Sequence, residues 1–144
     1  PTVKRSLVPM IAALLAGTVT AVVSAVGIAW ALGASAESLV SIAPKSVTTP
    51  VAMGIAEKLG GIPSLTAVMV ILTGIIGAII ATPLLNALGL KDWRARGFAV
   101  GVAAHGLGTA RAFQVNDLPG TFAGIGMALN ALATAILVPV LWHW

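Results

Sequence analysis

The chain has 144 residues, of which 58% are hydrophobic and only 8% are charged, and its mean hydropathy is +1.04. Because a soluble domain carries about 25% charged residues, this composition excludes a soluble globular protein and indicates an integral membrane protein. The formal net charge is +4, but the basic residues are scattered along the chain, which argues against nucleic acid as a partner. The chain has no cysteine, which excludes disulfides and cysteine-based metal sites.

The first predicted element, segment A, is a helix from about residue 6 to 32 that follows Lys4 and Arg5. Its apolar run exceeds the roughly 20 residues needed to cross a bilayer, and it is also longer than the ~7–15 residues of a signal peptide core. Small residues such as Gly17 and Gly27 interrupt it and favour close packing against other helices. We therefore predict a transmembrane helix rather than a cleaved signal.

Segment B, at about 39–59, is predicted to be broken by the polar sequence Ala43-Pro-Lys-Ser-Val-Thr-Thr-Pro50. Thr49 is predicted to be the N-cap of a half-helix with Pro50 at its first position, a strong signal for a helix start. Gly60-Gly61 is predicted to end this half-helix.

Segment C, at about 63–88, is predicted to be a second long membrane-crossing helix. Segment D, at about 97–116, is predicted to be broken at Ala104-His-Gly-Leu-Gly-Thr-Ala-Arg111, where a glycine-rich turn at 105–108 precedes a half-helix capped by Thr109. Segment E, at about 119–142, is predicted to be the third long helix.

Segments C and E indicate an internal repeat. A shift of 56 residues superposes Pro63 on Pro119 and Pro83 on Pro139. Each of these helices is predicted to open with its first proline, and a broken segment precedes each of them.

The topology depends on segments B and D. If both cross the membrane, there are five spans, and the basic clusters at 4–5 and 91–96 lie on opposite sides, which violates the positive-inside rule. If both are re-entrant hairpins, only A, C and E cross, and the two clusters share the cytoplasmic side. We prefer the second topology. It predicts an all-α integral membrane protein with long transmembrane helices and two broken, re-entrant hairpins in an inverted repeat.

The two breaks are the candidate functional site. Irregular backbone survives at membrane depth only inside protein or beside water, and each break opens a half-helix with unpaired N–H donors. Lys45 and Arg111 lie beside these positive helix ends, which makes sense if an anion completes the site. We predict a site for a small hydroxylated or keto monocarboxylate, with these binding residues: Lys45, Ser46, Thr48, Thr49, His105, Gly106, Gly108, Thr109 and Arg111.

Structural roles for the same residues stay open. Arg111 could pair with Asp117 or extend to the interface, and Lys45 could reach the interface from a shallow loop. His105 could be a neutral hydrogen-bonding residue, a substrate or proton-relay residue, or a metal ligand, and Asn130 is expected to hydrogen-bond between helices. We predict no metal and no cofactor, because the acidic residues lie near predicted loops. No nucleophile–base or paired-carboxylate arrangement suggests an enzyme.

Four segments carry a family resemblance: Pro44-Lys-Ser-Val-Thr-Thr-Pro-Val51, Gly60-Gly-Ile-Pro63, Ile71-Leu-Thr-Gly-Ile75 and Ala104-His-Gly-Leu-Gly-Thr-Ala-Arg111. With them the chain resembles the LrgB/CidB family of bacterial membrane proteins. Ala104 departs from the serine that many relatives carry. Because family members are typically longer at the N-terminus, we expect residues 1–144 to be a single LrgB-like membrane domain that lacks N-terminal spans of a complete member.

The resemblance implies two functions. The family is labelled antiholin-like, a modulator of murein hydrolase export and autolysis in the bacterial inner membrane. A plastid relative is regarded as a glycolate/glycerate transporter, and bacterial relatives are tied to pyruvate handling. Our leading hypothesis is a multi-pass transporter or facilitator for small monocarboxylates. The alternative is a holin-like or antiholin-like protein that acts as a homo-oligomer or with an LrgA/CidA-like membrane partner, and a third hypothesis is a purely structural membrane subunit. The expected partners are a small carboxylate and the lipid bilayer.

Overall fold

The computed structural model describes residues 2–142, with side chains described from Leu7 onward. All secondary structure in this part of the chain is helical, as predicted. The six helices, in chain order, are α1 (Thr2–Ala31), α2 (Ala36–Ile42), α3 (Thr49–Lys58), α4 (Pro63–Ala87), α5 (Trp93–Val115) and α6 (Asp117–Trp142). The side chains of Lys4 and Arg5, on which the topology prediction partly depends, lie outside the described ones.

Three helices are long and apolar enough to cross a membrane, namely α1 from Leu7, α4 and α6. They correspond to segments A, C and E, so the prediction of an all-α membrane protein with long apolar helices is confirmed. Isoleucines and leucines on their outer faces are exposed, as expected of helices that face hydrocarbon. α6 begins at Asp117 rather than at Pro119, because proline is tolerated throughout a first turn, where its missing N–H has no intrahelical partner.

Segment B is broken as predicted. Residues 43–48, which we call the first break, separate α2 from α3. The N-cap of α3 is Thr48 rather than Thr49, since Thr48 has extended backbone (φ −62°, ψ 146°) and the helix begins one residue earlier than predicted. Its hydroxyl makes no capping hydrogen bond. The helix ends at Lys58 with Leu59 as its C-cap, and Gly60 follows with a φ of +80°, which suits glycine.

Segment D is also interrupted, but more narrowly than predicted. The second break consists of Ala104 and His105 alone, which have non-helical backbone inside α5. The helix resumes at Gly106, so the predicted glycine-rich turn at 105–108 is not present. Thr109 is not an N-cap, because it lies inside the second half of α5 and its Oγ1 donates to the His105 carbonyl at 2.8 Å.

Glycines let the second break sit deep among the helices. Gly97 and Gly101 of α5 lie directly against the backbone of α6 at Pro119 and Ala123, with no room for a Cβ atom. Gly74 of α4 lies against the ring of His105 in the same way. Helix backbones in membranes approach this closely only where small residues face each other. The helix α5 is therefore held between α4 and α6.

The first break is held by a different set of contacts. Ala43 packs with Val22 of α1, Ile55 of α3 and Val138 of α6 in one buried apolar cluster. Val47 packs with Val70 of α4 in another. The break is therefore covered by four helices on its apolar side. The re-entrant topology of the two broken segments stays a prediction.

Candidate functional site

A cavity of about 810 Å³ lies between α1 and the first half of α5, and two residues of the first break line it. Those two residues are Lys45 and Ser46. Much of the wall is apolar and small, with alanines from both helices beside Phe98 and Val102. The polar or charged lining residues are Thr20, Lys45, Ser46, Asp92 and Arg94.

Lys45 has no acidic partner among the described residues of this cavity. Its side chain is half-buried, and its Nζ donates to Ser46 Oγ at 3.4 Å. No carboxylate in the described part of the chain lies within 4.0 Å of Nζ. The salt bridge found among the described residues joins Arg94 to Asp92 instead. A half-buried cation with no carboxylate beside it is suited to hold an anion in this cavity.

The second basic side chain of the cavity, Arg94, is neutralised in place. Its Nη2 donates to Asp92 Oδ2 at 2.7 Å and its Nε to Oδ1 at 3.1 Å, while Asp92 also caps α5. These hydrogen bonds lower the pKa of Asp92 to about 2, so its carboxylate stays ionised at neutral pH. Of the two described cations in the cavity wall, Lys45 is therefore the one free to bind a solute.

Asn130 of α6 ties the first break to its surroundings. Its Nδ2 donates to the Ser46 carbonyl at 3.1 Å and to the Val102 carbonyl at 3.0 Å. Its Oδ1 accepts from Thr18 of α1 at 2.7 Å and from Thr134 at 3.5 Å. The expectation of an interhelical hydrogen-bonding residue at 130 agrees with this geometry. Its partners in three other segments could not be found from the sequence.

His105 is a packed residue of the second break. It is 4% exposed, and its Nε2 lies 2.8 Å from the Val70 carbonyl. A carbonyl only accepts hydrogen bonds, so Nε2 carries the hydrogen and donates it. Its φ is +42°, a region in which a residue with a Cβ atom is strained. In the described part of the chain, no group of three or more His, Asp or Glu side chains could hold a metal ion.

Arg111 does not join Lys45. Its side chain is exposed, its Nη1 donates to Gln114 Oε1 at 3.2 Å, and it lines a separate cavity of about 30 Å³ with Arg96. The second half of α5 begins at Gly106, which puts Arg111 in its second turn rather than in the predicted first turn. Lys45 and Arg111 therefore line separate cavities, which does not fit the prediction that both bind one anion.

The remaining predicted binding residues do not line the large cavity. Thr48 and Thr49 are half-buried at the start of α3, Gly106 is half-buried, and Gly108 and Thr109 are buried inside α5. Of the nine predicted residues, the structure brings Lys45 and Ser46 to the cavity. The structure also places Thr20 in the cavity wall. Sequence reasoning missed this residue, because a single hydroxyl in an apolar helix is not a distinctive signal.

Comparison with known proteins gives a family and named relatives. The model of the LrgB-like family matches residues 1–144. The chain is 36% identical over 141 residues to the uncharacterized protein YwbG of Bacillus subtilis, covering 98% of this chain and 63% of that protein. It is 38% identical over 109 residues to the holin-like protein CidB of Staphylococcus epidermidis, covering 76% of this chain and 48% of that protein.

A third relative gives the same result. The holin-like protein CidB of Staphylococcus aureus is 36% identical over 111 residues, covering 77% of this chain and 48% of its own length. The chain thus spans between about half and five-eighths of the curated relatives it matches. No solved structure matches it.

Proposed function

This chain belongs to the LrgB-like family, and we propose that it forms, in the bacterial inner membrane, part of a multi-pass path for small anions. The proposed solutes are monocarboxylates of the glycolate, glycerate or pyruvate type. The observation that carries this proposal is Lys45, a half-buried cation that has no acidic partner among the described residues and lies in the wall of an 810 Å³ cavity.

The charge of Lys45 supports an anionic solute. A lysine at membrane depth costs at least ~2.5–3.5 kcal/mol unless a partner or water compensates it, and a carboxylate that enters the cavity supplies that compensation. Ser46 Oγ, which accepts from Lys45, can also donate to the same carboxylate. The cavity has room for a small carboxylate with several waters, since a water takes about 30 Å³ of the liquid.

A second candidate function is holin-like or antiholin-like modulation of the envelope, including murein hydrolase export. The observation that favours it is the name of the staphylococcal relatives, which are called holin-like. Such a protein would assemble through its exposed apolar helix faces as a homo-oligomer or with an LrgA/CidA-like membrane protein. The relatives' names favour this candidate, and the geometry around Lys45 favours selective anion passage. The two candidate functions are compatible if the holin-like effect arises from an anion path.

Uptake into proteoliposomes separates the candidates. Purified protein would be tested with labelled glycolate, glycerate and pyruvate, and leakage of a trapped dye would be followed in parallel. The key variant is Lys45→Gln, and the matched control is Lys58→Gln, which removes the same charge from an exposed position in the last turn of α3.

Saturable uptake that falls roughly tenfold or more in Lys45→Gln, but not in Lys58→Gln, is the expected result, because hydrogen bonds to charged groups contribute about 1.5–3 kcal/mol. Equal dye leakage in all three proteins, without saturable uptake, would reject selective anion passage and favour the unselective holin-like candidate.

A further inference from the structure

Asn130 uses all of its hydrogen-bonding capacity on four different groups. It is 1% exposed, and no water is needed to satisfy it. Both Nδ2 hydrogens go to backbone carbonyls, those of Ser46 and Val102, and both lone pairs of Oδ1 face threonine hydroxyls. Because carbonyls only accept, the reversed amide would set Oδ1 against two oxygens. The orientation of the amide is therefore fixed by its surroundings.

The carbonyl that Asn130 holds belongs to the residue beside Lys45. Two tight backbone hydrogen bonds shape the first break from within, Lys45 N to the Ile42 carbonyl at 3.1 Å and Val47 N to the Pro44 carbonyl at 3.2 Å. Neither fixes where the turn sits relative to α5 and α6. The apolar contacts of Ala43 and Val47 do this on one side of the break. At the cavity, the hydrogen bond from Asn130 Nδ2 to the Ser46 carbonyl does it, and Ser46 Oγ in turn accepts from Lys45 Nζ.

The other carbonyl lies near the second break. Val102 precedes the non-helical pair Ala104–His105 by two residues and lines the same cavity as Lys45. Asn130 thus joins the turn that carries Lys45 to the α5 wall of the cavity. A residue that joins these two segments fixes how they lie relative to each other beside the cavity.

We propose that Asn130 positions the Lys45 turn against the wall of the cavity and so fixes how far the Lys45 side chain reaches into it. The inference deepens the proposed function and rests on it for its consequence in transport. It names a positioning residue, which does not touch the solute. Its geometric part can be tested without transport.

The test uses the absence of native cysteines. Lys45→Cys gives a protein with a single thiol, and its reaction rate with a small water-soluble methanethiosulfonate reports how accessible position 45 is. This rate would be measured alone and combined with Asn130→Ala. The matched control combines it with Thr18→Val, which removes one hydrogen bond to Asn130 Oδ1 but leaves both Nδ2 donors in place.

The labelling rate is expected to change about tenfold with Asn130→Ala, because the free energy of one or two buried hydrogen bonds corresponds to a change of about that size. With Thr18→Val it is expected to change by less than about twofold. With Lys45 intact, Asn130→Ala is expected to raise the KM for anion uptake more than it lowers kcat. If the Asn130→Ala protein does not fold, Asn130→Ser retains one hydroxyl donor and replaces it.

Equal labelling rates in the Asn130 and Thr18 variants would overturn the inference. A different labelling rate in a protein that shows no anion uptake would uphold the positioning role and reject the proposed function instead. These outcomes distinguish failure of the positioning role from failure of the proposed function.

Discussion

The two breaks look alike in sequence, yet the structure gives them different surroundings. The first break, residues 43–48, places Lys45 and Ser46 in the wall of a large cavity. The second break, Ala104 and His105, is buried against α4, where His105 donates to the Val70 carbonyl and Gly74 lies against its ring. Similar polar sequences at two helix breaks therefore do not imply similar surroundings. An uncompensated charge beside free volume is the more specific sign of a binding site.

The largest expected effect is on uptake, and it sharpens this comparison directly. Lys45→Gln should lower carboxylate uptake by roughly ten- to a hundredfold, because a charge-assisted hydrogen bond is lost, whereas Arg111→Gln should change it by no more than about threefold. Initial rates in proteoliposomes measure both. An equal loss in the two variants would show that the breaks act as one site despite their different surroundings.

The next effect concerns stability at the second break. A Cβ atom at Gly74 would lie 2.6 Å from Cε1 and 2.7 Å from Nε2 of His105, whereas one at Gly54 in α3 would meet nothing within 4 Å. Gly74→Ala should therefore destabilise the protein by about 1–3 kcal/mol through overpacking. Gly54→Ala should stabilise it by up to about 1 kcal/mol through helix propensity. Thermal unfolding in detergent compares the two, and equal midpoints would contradict the packing described for His105.

A smaller effect isolates the backbone strain at His105. Its φ of +42° suits glycine better than any residue with a Cβ atom. Both His105→Ala and His105→Gly lose the hydrogen bond to Val70, so their difference reports the conformation alone. The glycine variant should be more stable by about 1–2 kcal/mol. Unfolding midpoints of the pair measure this difference, and an alanine variant that is the more stable would argue for a helical backbone at this position.

The smallest effect is expected at the rim of the large cavity. The pKa of Asp92, about 2, is depressed below that of an unfolded chain, so the contribution of its ion pair to stability is present above about pH 4 and is lost as the pH falls through 2. Asp92→Asn should leave the pH profile of uptake between pH 5 and 8 unchanged. It should raise the uptake rate slightly at low salt, because Arg94 is no longer neutralised. A changed profile would place Asp92 on the solute path.

The sequence predicted the helices well because their signals are local. Long apolar runs, Pro63 and the Gly60-Gly61 pair give helix positions to within a few residues. The position of the first break followed from Pro44 and Pro50 in the same way. The extent of the second break did not, because the chain returns to helical backbone at Gly106, and Gly108 lies close to Val100 and Ala104 of the same helix instead of forming a turn.

The site itself was only partly predictable. Lys45 and Ser46 were identified from charge and hydroxyl groups in an apolar context, and they do line the cavity. Arg111 carries the same local signal but lies on another surface, since the side of a helix on which a residue falls depends on where that helix begins. Thr18 and Thr20 lie in a helix that gave no reason to separate them from lipid-facing residues.

The glycine contacts of α5 with α6 also bear on how the large cavity can change shape. Gly97 and Gly101 lie against the backbone of α6, so these two helices have almost no freedom to slide or rotate against each other. They should move as one rigid body. The opposite wall of the cavity is α1, which meets α5 through side chains such as Met10 and Leu14 against Val102 and Phe98. Shear between packed helices proceeds by small rearrangements of such side chains. Opening and closing of the cavity would then be a displacement of α1 relative to the α5–α6 pair.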